Sequence, residues 1–303
     1  MTPVGFEGHR DHSPSEGSQD RGIAPNGAAW AVVGGLRGHT RRMRRFGFDW
    51  RALRRFGAVG YLTLIVATTR KPVNGARARP WFGPERASAL IVAHAKFTPP
   101  AEGRLSLASV GLDDWRIAAI EPVPRVDELL GDLTSGRDVL IYVHGFNQTF
   151  EMAALDAARL SDGIIFRGET MVFSWPSKAK LFDYAYDRES AMWSRDALEQ
   201  VLNGLMASPI SGRIHIVAHS IGTMLTMEAL RQVYARDGEM VADRIGAVVF
   251  ASPDIDMDGF SSSVERIGPL ASKITVIAAT NDRARSVAWK NALAKGVHMQ
   301  QFG

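Results

Sequence analysis

The chain has 303 residues, of which 46% are hydrophobic and 22% are charged, and its formal net charge is +4. This composition is typical of a globular protein and excludes collagen, low-complexity repeats and disorder throughout. There is no cysteine, so disulfides, thiolate metal sites and a cysteine nucleophile are also excluded.

The positive charge is confined to the N-terminal segment. Residues 1–57 carry ten arginines against five acidic residues, a net +5, whereas the rest carries 26 basic and 27 acidic residues, a net −1. We therefore interpret 1–57 as a disordered, basic leader and 58–303 as one folded domain. An electrostatically neutral body is not typical of a polyanion binder, so no nucleic-acid partner is expected.

Two interpretations of the leader stay open. Arginines between residues 37 and 55 are interleaved with Phe46, Phe48 and Trp50, which fits weak contact with an anionic membrane as well as a solvated leader. A cytoplasmic location is slightly favoured over export or membrane association, both of which a chain without cysteine allows.

The first apolar stretch, residues 56–68, is too short to span a bilayer as a helix. Following Arg54 and Arg55, it resembles the hydrophobic region of a signal peptide, although no A-x-A cleavage pattern follows closely. We favour the alternative, a first strand over 62–67.

Beyond residue 136, short apolar runs alternate with segments of helical period. The runs are apolar on both faces, as parallel strands covered by helices are, and lie at 138–145, 170–177, 213–220, 245–254 and 273–282. One apolar stripe predicts a helix that includes Met192, Leu198, Val201, Leu202 and Leu205. The pattern predicts an α/β fold with a mostly parallel, doubly wound sheet flanked by helices. Its ligands should bind at the carboxyl ends of the strands.

The run at 213–220 ends in Ala218-His219-Ser220-Ile221-Gly222 and leads directly into a helical pattern. This is the nucleophile-elbow pattern with alanine in place of its first glycine. Small residues are needed two positions before and after the serine because a strained strand-to-helix turn brings neighbouring backbone close. Ser220 is therefore the predicted nucleophile, at a helix N-terminus whose dipole favours an oxyanion.

The run at 138–145 ends in His144-Gly145-Phe146-Asn147. In folds that are built around a nucleophile elbow, the strand-to-helix loop at this position supplies a main-chain N–H to the oxyanion. By analogy with them, Phe146 and Ile221 are the predicted donors. His144 could act as general base, but its place before the donor favours a loop-organising role. We expect His144, His219 and Tyr184 at the substrate pocket. The aromatic residues between 182 and 193 either form a lid or acyl pocket or pack the helix to the sheet.

Residues 62–290 resemble a bacterial branch of the alpha/beta-hydrolase superfamily that is largely of unknown function. Besides VHGFN and AHSIG, the similar stretches are ATTRKP (67–72), WFGPERA (81–87), FSWPS (173–177), LFDYAYDRESAMWSRDAL (181–198), ASPDID (251–256) and ATNDRA (279–284). The resemblance implies an esterase or lipase that hydrolyses a small-molecule or lipid ester through a serine acyl-enzyme without a cofactor. No spacing of His or carboxylate residues predicts a metal site.

A serine hydrolase of this kind also needs an acid and a base to complete a catalytic triad with Ser220. The sequence defines these two residues less well than it defines the serine. Asp282 follows the last run, where this fold usually places the acid, and Asp256 is the alternative; Asp254 is a weaker candidate. Relatives place the catalytic histidine well beyond the NDRA stretch, and here only His298 lies downstream of Asp282. His298 is therefore the predicted base. The rival interpretation is a catalytically weak or inactive binding protein on the same fold.

Overall fold

The computed structural model describes residues 62–73, 75, 77–99, 115–131, 133, 135–209, 211–279 and 296–302. The strands within these ranges are β1 (Leu62–Pro72), β2 (Phe82–Thr98), β3 (Arg116–Val123), β4 (Val139–Val143), β5 (Glu169–Ser174), β6 (Ile214–His219), β7 (Ile245–Ala251), β8 (Ile274–Ala279) and β9 (His298–Phe302). The helices are α1 (Val126–Gly131), α2 (Phe150–Gly163), α3 (Tyr184–Trp193), α4 (Arg195–Ala207), α5 (Ile221–Asp237), α6 (Met240–Arg244) and α7 (Met257–Arg266). Among the described residues, 3-10 turns span Leu181–Asp183 and Gly268–Lys273.

All of these strands form one sheet in the order β3-β2-β1-β5-β4-β6-β7-β8-β9. Only β2 among them runs against the others, because it pairs antiparallel with both β1 and β3. The predicted α/β fold with a mostly parallel sheet is confirmed. The five predicted runs became β4 to β8, and the strand interpretation of residues 62–67 is confirmed by β1.

Helices cover both faces of the sheet. The alanines of α2 pack on one face, with Leu140, Tyr142 and Val172 of the central strands in the same buried cluster. The larger cluster on the other face includes α4, α5 and α7 together with alternate residues of β4 to β8. This two-sided burial explains why every residue of β4 is buried and why the central strands are apolar throughout.

The structure divides the helix predicted around 192–205 into two, α3 and α4, with Ser194 between them. The buried Ser194 hydroxyl donates to the main-chain oxygen of Ser190 and lies 2.8 Å from the hydroxyl of Thr69 on β1. These side-chain bonds hold the chain to the sheet at the break, an arrangement that helical periodicity does not reveal. Within the described residues, no helix is both long enough and apolar enough to cross a bilayer.

Candidate active site

The two sequence motifs meet where the chain order of the sheet reverses. β4 lies between β5 and β6, and its last residue, Val143, pairs with Ala218 of β6. The loops that leave these neighbouring strands therefore start side by side at one edge of the sheet. In open α/β sheets such a switch point is where a crevice for ligands opens.

Ser220 occupies a strained turn between β6 and α5. Its backbone has φ 50° and ψ −124°, a region that L-residues with a side chain rarely adopt. The Ser220 N–H donates to the oxygen of Ala251 at 3.0 Å, which ties the turn to β7. The side chain is partly exposed at the N-terminus of α5, as the predicted nucleophile elbow requires.

Two glycines allow the β4 loop and the elbow to touch. A Cβ on Gly145 would lie 2.6 Å from Nδ1 of His219 and 2.8 Å from Cβ of Ser220. A Cβ on Gly222 would collide with the main-chain oxygens of His144 and Val143. A side chain at either position would displace its neighbours, so both glycines are needed for the close approach.

The two predicted oxyanion donors sit on the two sides of this contact. Ile221 is the first residue of α5, where a main-chain N–H has no acceptor within the helix. Phe146 directly follows Gly145. The next two N–H groups of that loop are occupied, because Asn147 donates to the Asp187 carboxylate at 3.3 Å and Gln148 donates to the Ser177 hydroxyl at 3.2 Å. These bonds fix the loop that carries Phe146.

A buried guanidinium, which sequence reasoning had not singled out, supports the same loop. Arg70 on β1 is 1% exposed and donates to the main-chain oxygens of Gln148 at 2.7 Å and Ser177 at 3.0 Å. Its Nε donates to the Ser174 hydroxyl at 2.9 Å. Burial lowers the pKa of Arg70 to about 10, so the side chain is still a cation at neutral pH. Its place in the similar stretch ATTRKP was the signal available in the sequence.

Asp187 is a second buried, charged residue that the sequence analysis does not identify. Its carboxylate is fully buried and, besides Asn147, accepts from the main-chain N–H of Lys178 at 2.8 Å and from the Ser177 hydroxyl. It therefore joins α3 to the loops after β4 and β5. A buried carboxylate is costly unless several donors satisfy it, and here main-chain and hydroxyl donors do so.

The structure places His144 in the interior instead of in an open pocket. The ring is 0% exposed, stacks on Trp175, and has Nδ1 2.8 Å from the oxygen of Gly145 and Nε2 3.0 Å from that of Trp175. Burial, with the charge of Arg70 as a second cause, lowers its pKa to about 3. A neutral, enclosed imidazole organises the loop, which agrees with the favoured sequence interpretation over a role as general base.

Tyr184 and His219 both lie near the elbow. The Tyr184 hydroxyl donates to the Asp254 carboxylate at 2.7 Å, and its ring meets Phe146 edge-on at 5.5 Å. The Asp254 N–H donates in turn to the oxygen of Ser220 at 3.3 Å. His219 has its Nδ1 buried without a hydrogen-bond partner among the described residues, and burial lowers its pKa. Tyr184, Phe146 and Asp254 thus form one wall beside the serine.

The described structure does not assemble the predicted triad. Asp282 lies outside the described residues. Asp256 is exposed, and its carboxylate accepts from the Gly259 N–H at 2.9 Å as the N-cap of α7, which gives it a role at the start of that helix.

His298 is exposed at the first position of β9. The register places it in one row with Thr275, Val249 and Val217, three positions before Ser220. The three intervening strand spacings alone amount to roughly 14 Å. In this arrangement the imidazole of His298 cannot hydrogen-bond to Ser220. The physical reason for this separation is that His298 is the first residue of β9, whereas Ser220 follows the last residue of β6.

A second histidine on β6 pairs with a carboxylate. His215 pairs with Asp138 at 3.2 Å, near the start of β6 and away from the elbow. Among the described residues, no three His, Asp or Glu side chains are grouped so that they could hold a metal ion.

Comparisons with known proteins agree with this architecture. The model of a family described as alpha/beta hydrolases of unknown function (DUF900) matches residues 127–297, which include both motifs. An uncharacterized protein of Nostoc sp. strain PCC 7120 is 34% identical over 61 residues. That match covers 20% of this chain and only 16% of the relative's length.

Among solved structures, similarity extends to hydrolases at low identity. Esterase Est22 is 14% identical, with 94% of this chain and 86% of that one covered, at a TM-score of 0.34. The acylaminoacyl peptidase of Pyrococcus horikoshii is 12% identical, with 84% of this chain and 39% of that one covered, at a TM-score of 0.37.

Proposed function

Because the chain belongs to the family of alpha/beta hydrolases of unknown function (DUF900), we propose that it is a serine hydrolase that cleaves carboxylic esters through an acyl-enzyme on Ser220. The observation that supports this most directly is the strained Ser220 turn packed against Gly145. Strain of this kind persists only where surrounding structure enforces it, and it is concentrated at functional sites.

The proposed reaction has two steps. The Ser220 oxygen attacks the ester carbonyl carbon, the carbonyl oxygen becomes an oxyanion held by the N–H groups of Phe146 and Ile221, and the alcohol leaves with a proton. Water then attacks the acyl-serine carbonyl, which releases the carboxylic acid and returns the proton to the Ser220 oxygen. No redox partner or cofactor enters this balance.

The proton of Ser220 has to be taken by a base for fast turnover. The sequence assigns this role to His298 with Asp282 as its acid. The register of β9 keeps His298 out of reach of Ser220 in this arrangement, so the assignment of the base remains open to test by substitution. The proposal for Ser220 does not depend on it, because the elbow, the oxyanion donors and the loop contacts are formed by other residues.

A specific observation favours a second candidate function. No histidine among the described residues hydrogen-bonds to the Ser220 hydroxyl, so the site could bind esters with slow or no turnover. Such a protein would retain the oxyanion hole and bind a carbonyl compound without activating the serine.

One experiment separates the two candidates. A hydrolase should hydrolyse short-chain p-nitrophenyl esters and be labelled by a fluorophosphonate at the peptide that contains Ser220, and Ser220→Ala should abolish both. The matched control is Ser208→Ala, which removes a largely buried hydroxyl directly after α4. This variant should retain both ester hydrolysis and labelling. Stoichiometric ester binding without labelling would instead identify the binding protein, and a label mapped to another serine would refute Ser220 as nucleophile.

A further inference from the structure

A carboxylate on α2 is tied to the loop that carries Phe146. Asp156 Oδ2 accepts a hydrogen bond of 3.0 Å from Nε2 of Gln148, which lies two residues after Phe146. The Asp156 side chain is only 17% exposed, and a carboxylate that is largely withdrawn from water is stable only where donors satisfy it. The Gln148 amide and the guanidinium of Arg159, at 3.0 Å, are such donors.

Gln148 is fixed through its side chain as well as its main chain. The main-chain oxygen accepts from Arg70 and the main-chain N–H donates to the Ser177 hydroxyl. In the side chain, Oε1 is buried without a hydrogen-bond partner among the described residues, so the amide is oriented through Nε2. Loss of the Asp156 carboxylate would leave a buried amide poorly satisfied at both ends, which favours displacement of the residue that carries it.

Two other titratable groups lie beside this contact among the described residues, Arg159 on α2 and Tyr142 on β4. Burial and the charge of Asp156 raise the pKa of the Tyr142 hydroxyl, against a smaller lowering by a hydrogen bond with Gln148, so this hydroxyl is neutral at pH 8. Burial also raises the pKa of Asp156 from 3.8 to about 6, against the lowering by Gln148. The Asp156 carboxyl is therefore ionised at pH 8 and protonated at pH 5.

We propose that Asp156 is a positioning residue for ester hydrolysis at Ser220: through the Gln148 amide, its carboxylate holds the loop that presents the Phe146 N–H to the oxyanion. The effect on rate rests on the proposed esterase function, whereas the holding of the loop does not. Arg70 holds the main chain of Gln148 from β1, and Asp156 holds its side chain from α2. A donor that moves out of line stabilises the oxyanion less.

Steady-state kinetics on a soluble p-nitrophenyl ester test this role. Asp156→Asn keeps the shape of the carboxyl and removes its charge, as protonation does. Its kcat should be about threefold below that of wild type at pH 8, with KM nearly unchanged, and equal to wild type at pH 5. The ratio of the two kcat values is the readout, because titration of a catalytic base affects both proteins alike. The matched control, Asp162→Asn, removes an exposed carboxylate from the same helix and should leave kcat unchanged at both pH values.

A double-mutant cycle at pH 8 measures whether Asp156 acts through Gln148. Asp156→Ala and Gln148→Ala should each lower kcat about three- to tenfold, and the double variant should lose no more than the larger of these losses. The proposal is overturned if the two losses multiply or if kcat of Asp156→Ala stays within about twofold of wild type. A ratio of wild-type to Asp156→Asn kcat that is the same at pH 5 and pH 8 would also overturn it.

Hydrogen exchange of the full chain measures the loop independently of catalysis. Main-chain amides in the peptide that contains residues 145–149 should exchange faster in Asp156→Ala than in wild type and in Asp162→Ala. Unchanged exchange in peptides from β6 and β7 would show that the variant is folded. Equal exchange of the loop in all three proteins would refute the positioning role. If wild type hydrolyses no ester, the proposed esterase function fails, and the exchange result still decides whether Asp156 holds the loop.

Discussion

The guanidinium of Arg70 donates a 2.7 Å hydrogen bond to the main-chain oxygen of Gln148, two residues after the proposed oxyanion donor Phe146. Arg70 stands on β1, which does not pair directly with β4. A buried cation on one strand thus holds the loop that follows another strand, the loop that carries the proposed donor. This relationship assigns Arg70 a positioning role.

Replacing Arg70 by lysine should therefore impair catalysis more than binding. An ammonium group cannot span the acceptors on Ser174, Ser177 and Gln148 that the planar guanidinium reaches together. We expect kcat on a soluble ester to fall about ten- to a hundredfold, less than the loss of a whole oxyanion donor, with KM nearly unchanged. Exposed Arg125→Lys is the control. Wild-type kcat in a folded Arg70→Lys variant would contradict the positioning role.

The two candidate acids can be separated by amide substitution. If Asp282 orients the base, Asp282→Asn should lower kcat by about 10⁴, the scale found when a triad acid is neutralised. Asp256→Asn should change kcat little, because an asparagine also caps α7. Asp256→Ala should cost about 1 kcal/mol in the free energy of unfolding through loss of the cap. Steady-state kinetics and denaturant unfolding give the two readouts, and the reverse order of kcat losses would move the acid to Asp256.

His298 gives the sharpest contrast between sequence and structure. As the general base it would carry most of the activity, so His298→Ala should cost several orders of magnitude. The strand register instead places His298 level with Val217 and three strands away from it. We therefore expect His298→Ala to change kcat/KM by less than about threefold. The measurement is ester hydrolysis by the purified full chain, with exposed Gln300→Ala on the same strand as control. A large loss confined to His298→Ala would show that β9 presents the imidazole to Ser220 in another arrangement.

The buried imidazole of His144 predicts a pH dependence of stability. Its pKa is about 3 in the folded protein against 6.5 ordinarily, so below pH 6.5 the unfolded chain takes up a proton that the folded one does not. The contribution of His144 to the free energy of unfolding is fully present above pH 6.5. It is lost as the pH falls toward 3, at up to about 1.4 kcal/mol per pH unit.

A glutamine variant isolates this contribution from those of the carboxylates. His144→Gln should be less stable than wild type at pH 7, and the difference in unfolding free energy should shrink as the pH falls from 6.5 to 4. Urea unfolding at several pH values measures it. A difference that is constant over this range would show that His144 takes up a proton equally in both states.

The central strands and the elbow were predictable from sequence because their signals are local. A parallel strand buried on both faces has to be apolar at every position, so β4 to β8 stand out as runs. The requirement for small residues around Ser220 likewise lies within five positions. The motif around Gly145 is equally short. Both motifs directly follow strands that were predicted to be parallel, and the carboxyl ends of parallel strands share one edge of the sheet.

Only the tertiary structure decided which charged groups support the site. Arg70 and Asp187 are read in the sequence as ordinary charged residues; their burial depends on acceptors and donors supplied by other strands and loops, 40 to 78 positions away in the contacts to Asn147 and Gln148. Asp254 accepts a hydrogen bond from Tyr184, whereas Asp256, two residues later, caps α7. This difference depends on where α7 begins. The distance from His298 to Ser220 depends on strand register. Apolar periodicity carries none of this information, because hydrogen-bond partners and register are set by packing between distant segments.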